Sequence, residues 1–198
     1  MMDALTLQHG LPEHLRQQAA QIYVDAFRKK LTPIFKTTET AVEILQQDLN
    51  GRHAIVALQD DHLLGLTGLH LPDGHFMHIQ PRTVMRHLGT LEGGLRYLLM
   101  GLLARTTRPG ELLMDGIAVH ASARGRGIGS KLLNAVIDYA RSHHYQRVRL
   151  DVVDTNPDAK RLYERIGFVA VKTQHYGALT RWMGFTGSTT MIRQVGVE

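Results

Sequence analysis

Two features of the sequence predict a mixed α/β sheet: a strand–loop–helix–strand order over residues 112–153, and paired strands on either side of it. A parallel crossover places its two strands in one sheet. Tight hairpins add antiparallel neighbours. The 198 residues suffice to bury a core, and no linker, repeat or low-complexity tract divides them. Residues 1–198 are therefore expected to form a single domain.

The elements follow in order. Leu15, Ala19, Ile22, Ala26 and Phe27 recur at helical spacing, which predicts a helix over 11–30 with Pro12 in its first turn. Thr40 to Leu49 reads as a second short helix, stopped by Asn50-Gly51. HAIVAL and HLLGLTGLHL flank Asp60-Asp61 and predict a hairpin. Residues 72–88 carry His75, His78 and His87 and little periodicity. Leu91 to Arg105 reads as a buried helix despite Gly101, broken by RPGE. LLMDGIAVH is a strand over 112–120, and 131–142 is a helix with Leu132, Leu133, Val136, Ile137 and Ala140 on one face. A strand at 147–153 precedes a helix over 157–166, with Asn156 as N-cap, Pro157 at its first position and Gly167 at its end. Residues 168–176 and 189–195 are the last strands.

Composition narrows the function classes. The absence of cysteine removes disulfides, thiolate metal sites and a cysteine nucleophile, and fits a reducing compartment. The N-terminus lacks the basic and apolar regions of a secretory signal, and no apolar run approaches the roughly 18 residues of a membrane span. A cytoplasmic location is expected, with no membrane partner. The net charge of +5 suits an anionic ligand, but the basic residues are spread along the chain, which disfavours nucleic acid. No H-E-x-x-H or Cys/His cluster is present, so no metal is expected. His143-His144 suit the negative end of a helix.

ARGRGIGSKLL, residues 123–133, is the stretch that carries chemistry. Its glycines permit a curled backbone whose N–H groups face an anion, and the helix that follows adds its positive end. A Walker loop fails, because Ser130 precedes Lys131 where the motif needs lysine first. A dinucleotide fingerprint fits Gly125 and Gly127 but meets Ser130 at its third glycine. Asp151 or Asp154 as a ribose acid keeps it as a rival.

Arg124-Gly125-Arg126-Gly127-Ile128-Gly129 resembles the pyrophosphate loop of the GNAT superfamily of acyl-coenzyme A N-acyltransferases. NPDAKRLYERIGF, Asn156 to Phe168, resembles that family's second signature, and a helix and a strand separate the two. The resemblance implies a mostly antiparallel sheet with parallel strands splayed into a gap, here 112–119 and 147–153. It implies acetyl-coenzyme A as co-substrate and direct transfer of its acetyl group to a primary amine of a small molecule or peptide. Main-chain groups of Ile117, Ala118 and Val119 would hold the pantetheine arm. Arg124, Gly125, Arg126, Gly127, Gly129 and Ser130 would hold the pyrophosphate, and Asn156 the cofactor arm. Lys160, Arg126 or Lys131 would reach the adenosine phosphate.

Tyr163 sits where the family places the donor to the leaving thiolate. Asp115 sits where a carboxylate receives the amine proton, and strand alternation puts it on one face with Ile117 and Val119. Gly116 marks a bulge that would help splay the strands. His75, His78 and His87 fall where the family shapes its acceptor pocket, and Trp182 could line that pocket or pack in the core. A homodimer follows family habit. The competing readings are a non-catalytic acyl-coenzyme A-binding module and a dinucleotide-binding enzyme.

Overall fold

The computed structural model describes residues 5–101, 105–176 and 184–196. Eight strands form one sheet: β1 Thr6–His9, β2 Ala54–Gln59, β3 His62–Leu71, β4 Gly74–His75, β5 Glu111–Val119, β6 Arg147–Val153, β7 Val169–His175 and β8 Gly187–Gln194. Their order is β1-β2-β3-β5-β6-β8-β7, with β4 paired to β3. Among the described residues only β5 and β6 run parallel, and every other pairing is antiparallel.

Asp60 and Asp61 turn the β2–β3 hairpin with φ of 51° and 59°. Such left-handed pairs match the twist of the flanking strands. β1 is an unexpected strand, short and largely exposed.

Two helical layers cover the sheet. On one face, α1 Arg16–Ala26, α2 Arg28–Phe35 and α3 Thr38–Asp48 enclose a core with Val56, Leu66 and Ala118. On the other, α6 Ile128–Ser142 packs Leu132, Leu133, Val136 and Ile137 against Leu112, Met114, Val148 and Leu150, beside α7 Pro157–Arg165.

Several elements differ from the sequence reading. The expected helix over 11–30 is a short 3-10 turn, α1 and α2, broken at Phe27, where φ −112° and ψ 23° leave the helical region. α3 starts at Thr38 because the Thr37 hydroxyl accepts from the Thr40 N–H at 3.1 Å. Residues 72–88 hold β4 and α4 Pro81–Leu88. α5, Thr90–Gly101, is not the buried helix its apolar residues predict. Leu91, Leu95 and Leu98 are 92%, 59% and 67% exposed, and only Gly93 is buried. Apolar content was read as burial, although exposure depends on which elements pack nearby; residues 102–104 lie outside the described residues. α6 begins three residues before the expected 131, directly on the glycine loop.

Candidate active site

The site begins where β5 and β6 part. They pair only over Glu111–Leu113 with Arg147–Arg149. Beyond that point β6 stays on β8 to Val153, while β5 stays on β3 to Val119. β3 occupies one edge of Ile117, Ala118 and Val119, through Thr67, Leu66 and Gly65. Among the described residues no strand lies against their other edge, where main-chain groups can pair with an extended ligand.

The glycine loop lies at the end of β5. Gly125 and Gly127 have φ of 76° and 74°, and a Cβ at either would meet nothing within 4 Å. Gly127 is the N-cap of α6, and no side chain caps the helix. The first helical turn therefore presents uncapped N–H groups, at Ile128, Gly129 and Ser130, with the positive end of a 15-residue helix behind them. Gly129 lies in that turn, where a Cβ would stand 3.3 Å from Leu162 of α7. Arg124 donates from Nε to the Val119 carbonyl at 3.3 Å, and Arg126 turns to Gln59 on β2 at 2.8 Å. Lys131 is exposed, and Lys160 faces Glu164 at 3.9 Å.

The Asn156 side chain accepts from the Ala159 N–H at 3.2 Å, the cap expected of it, which leaves its amide NH₂ for other partners. Tyr163 is 7% exposed, and its hydroxyl makes no hydrogen bond to a described residue. Burial pushes its hydroxyl up to about 12.

A cavity of about 720 Å³ lies at the opening between β5 and β6, lined from both strands. Asn156 and Tyr163 line it, as do Asp115, Gly116, Phe27 and Lys30. Gly116 does mark a bulge: Gly68 pairs Gly116 and Leu69 pairs Met114, so Asp115 is the extra residue. The bulge overturns one expectation. Ile117 and Val119 pack with the α6 core, whereas Asp115 meets Lys30 and Phe27 of the α1–α2 layer at the cavity wall. Alternation counted through the bulge puts Asp115 on the wrong face.

Asp115 is the centre of a buried polar chain. Its Oδ1 accepts from His70 Nε2 at 2.6 Å and from Arg105 at 2.7 Å. Burial raises its pKa, but the His70 hydrogen bond and the charges of Arg105 and Lys30 outweigh that and hold the carboxyl below its ordinary range. Its Oδ2 is buried without a hydrogen-bond partner. Arg105 also reaches Asp151 at 3.6 Å, Asp151 pairs Arg149 at 3.3 Å, and Arg149 pairs Glu111 at 3.2 Å. Thr190 completes the chain by donating to Asp151 at 2.5 Å. Beside it, burial and the charge of Arg105 push Lys30 down to about 8.

The histidines divide. His75 stacks on His70 at 5.1 Å, and His78 lies 5.3 Å from His75, so both adjoin the Asp115 chain without lining the cavity. His87 sits on α4 and pairs Glu43 of α3 at 3.2 Å, away from the cavity. Trp182 lies outside the described residues. Among the described residues, no three His, Asp or Glu side chains converge as metal ligands. No described helix is long and apolar enough to cross a membrane.

Sequence reasoning missed Lys30, His70, Arg105 and Arg149. None belongs to a motif. For His70 the only local signal was a histidine near the end of an apolar strand.

Comparisons with known proteins agree with this geometry. The model of the acetyltransferase (GNAT) family matches residues 16–168. The spermine/spermidine N(1)-acetyltransferase of Bacillus subtilis strain 168 is 25% identical over 157 residues, which cover 71% of this chain and 97% of that protein. Among solved structures, a GCN5-related N-acetyltransferase from Kribbella flavida shares the fold with a TM-score of 0.61 at 17% identity, over 96% of this chain and 98% of that one. An N-acetyltransferase from Staphylococcus aureus Mu50 does so with a TM-score of 0.59 at 15% identity, over 98% and 99%. With the parted parallel strands, the glycine loop and a family match over most of its length, this chain belongs to the GNAT family of acetyltransferases.

Proposed function

We propose that the protein transfers the acetyl group of acetyl-coenzyme A to a primary amine by direct attack. The observation that carries this reading is the unpaired edge of β5, which runs from the uncapped start of α6 to the cavity shared by Tyr163 and Asp115. The first-turn N–H groups of α6 and the amides from Arg124 onward hold the pyrophosphate. The free edge of Ile117, Ala118 and Val119 holds the pantetheine arm, and the NH₂ of Asn156 supports it from β6. When bound, the cofactor supplies the thioester carbonyl that the amine attacks.

The chain's own residues then meet three needs. The amine must arrive neutral. Lys30 shows that this cavity disfavours an ammonium, since it holds a lysine near 8 instead of its ordinary 10.5. A bound acceptor amine feels the same desolvation and the same Arg105. As nitrogen bonds to the carbonyl carbon, the nitrogen becomes a strong acid, so even a carboxylate of low pKa takes its proton. Asp115, on the cavity wall, is the carboxylate that receives it through a water molecule. A main-chain N–H on the free edge of β5 faces the developing oxyanion.

The C–S bond then breaks and leaves a thiolate. Thiols ionise near 8.5, so a phenol held at about 12 does not surrender its proton outright. Tyr163 stabilises the thiolate by donating a hydrogen bond, and solvent completes the protonation.

Tyr163→Phe tests the reading. Turnover, measured as thiol release with an amine panel, is expected to fall about 100-fold in kcat with little change in acetyl-coenzyme A affinity. Unaltered kcat would remove Tyr163 from the chemistry. Binding of acetyl-coenzyme A without turnover on any amine would favour a non-catalytic module.

A further inference from the structure

The proposed function leaves the acceptor as any primary amine, yet the cavity wall is not neutral toward it. Five cationic side chains line the cavity, Arg28, Lys29, Lys30, Arg105 and Arg149, against three acidic ones, Asp25, Asp115 and Asp151. Most of these charges are already matched. Arg28 pairs Asp25 at the rim. Arg105 and Arg149 share Asp115, Asp151 and Glu111 with Arg147. Lys29 and Lys30 remain, and neither forms an ion pair with a described residue.

The unsatisfied atoms repeat the pattern. Asp115 Oδ2 is an acceptor without a donor, on a side chain 3% exposed. Arg149 Nε is a buried donor without an acceptor. Both atoms are covered in the free protein while their side chains line the cavity, and buried polar atoms are nearly always paired, so a small side-chain shift toward a ligand's polar groups would satisfy them. One open acceptor and a cationic surplus call for two groups on one molecule: an amine for Asp115, and an anion for Lys30 and the free N–H of Arg149.

From these atoms we infer that the acceptor is an amine that also carries an anionic group, a carboxylate or a phosphate, and that Lys30 is a specificity-determining residue for that group. This rests on the acetyl-transfer reading above. A polycation would instead place further positive charge beside a lysine that feels Asp115 and Asp151 but has no direct ion pair with a described residue. The depressed pKa of Lys30 agrees: a group held near 8 by burial and by Arg105 regains its charge when an anion arrives. A bound acid therefore raises the Lys30 pKa, and binding takes up protons above pH 8.

The test is a panel of primary amines of matched chain length ending in a carboxylate, a phosphate, a methyl group or a second amine. Acetylated product is quantified by mass spectrometry, and acetyl-coenzyme A binding is measured separately by calorimetry. The expected result is a kcat/KM at least 10-fold higher for one acid-bearing arm than for the alkylamine or diamine, and the better arm tells carboxylate from phosphate. Lys30→Met should erase that preference by raising KM for the acid-bearing acceptor, and Lys30→Arg should restore most of it. Acetyl-coenzyme A affinity in both variants reports that the fold and cofactor cleft are intact. Equal rates across the panel, preference for the diamine, or no product from any member overturns the inference. Failure of the wild-type protein to bind acetyl-coenzyme A overturns instead the reading on which it rests.

Discussion

Gly127 and Gly116 stand at opposite ends of the same strand edge, and they are glycines for different reasons. Both have positive φ, 74° and 130°. At Gly127 the space a Cβ would take is open. At Gly116 it is filled by Phe27, whose Cζ would lie 2.8 Å from that Cβ. At one glycine the space beside the backbone is open; at the other it holds the chain's own ring. On the proposed reading, the cofactor half of the site is built from exposed main chain and the acceptor half from packed side chains. Substitutions should separate the two: the acceptor half answers in stability, the cofactor half in binding.

The sharpest stability contrast is Gly116→Ala. A side chain at φ 130° is strained, and its Cβ collides with Phe27, so a loss of roughly 3 kcal/mol is expected in urea unfolding. A loss below about 1 kcal/mol would mean that Phe27 moves freely and does not set the cavity wall.

Asp115→Asn comes next, at about 2 kcal/mol, because Arg105 keeps an oxygen to bond but loses its buried charge partner. The pH dependence identifies the cause. The Asp115 pKa is lowered in the folded state, so its contribution is complete above the ordinary carboxylate range and is lost as pH falls through the lowered value. The Asn variant should show a shallower acid limb in a plot of stability against pH. An acid limb identical to wild type would place the stabilising ionisation elsewhere.

Asn156→Ala removes a helix cap and should cost about 1 kcal/mol, with a several-fold weaker acetyl-coenzyme A affinity from the lost NH₂. If thermal denaturation shows the stability loss and affinity stays at the wild-type value, the NH₂ does not touch the cofactor arm.

The same division explains what the sequence disclosed. A loop that binds with consecutive amides needs consecutive residues. Arg124 to Ser130 and the Asn156 cap were therefore readable as motifs, as was the crossover from β5 to β6. Lys30, His70, Arg105 and Asp115 come from four different segments and meet through the break at Phe27, the register of β3 on β5 and the bulge at Asp115. No local pattern encodes such a meeting. The bulge also shows how one residue misleads: strict alternation counted through Gly116 puts Asp115 on the face of Ile117, and the extra residue reverses that. The apolar run in α5 misled differently, because a leucine repeat specifies an apolar stripe and not what packs on it.

The most direct measurement is a calorimetric titration of acetyl-coenzyme A into wild-type protein and Gly127→Glu, beside unfolding curves of both. The glutamate would fill the open space with a side chain and a negative charge at the start of α6. The expected result is binding to wild type, at least 100-fold weaker binding to the variant, and a stability difference of about 1 to 2 kcal/mol from the positive φ. Equal affinity in the two proteins would contradict the account, since the anion would then lie somewhere other than this loop.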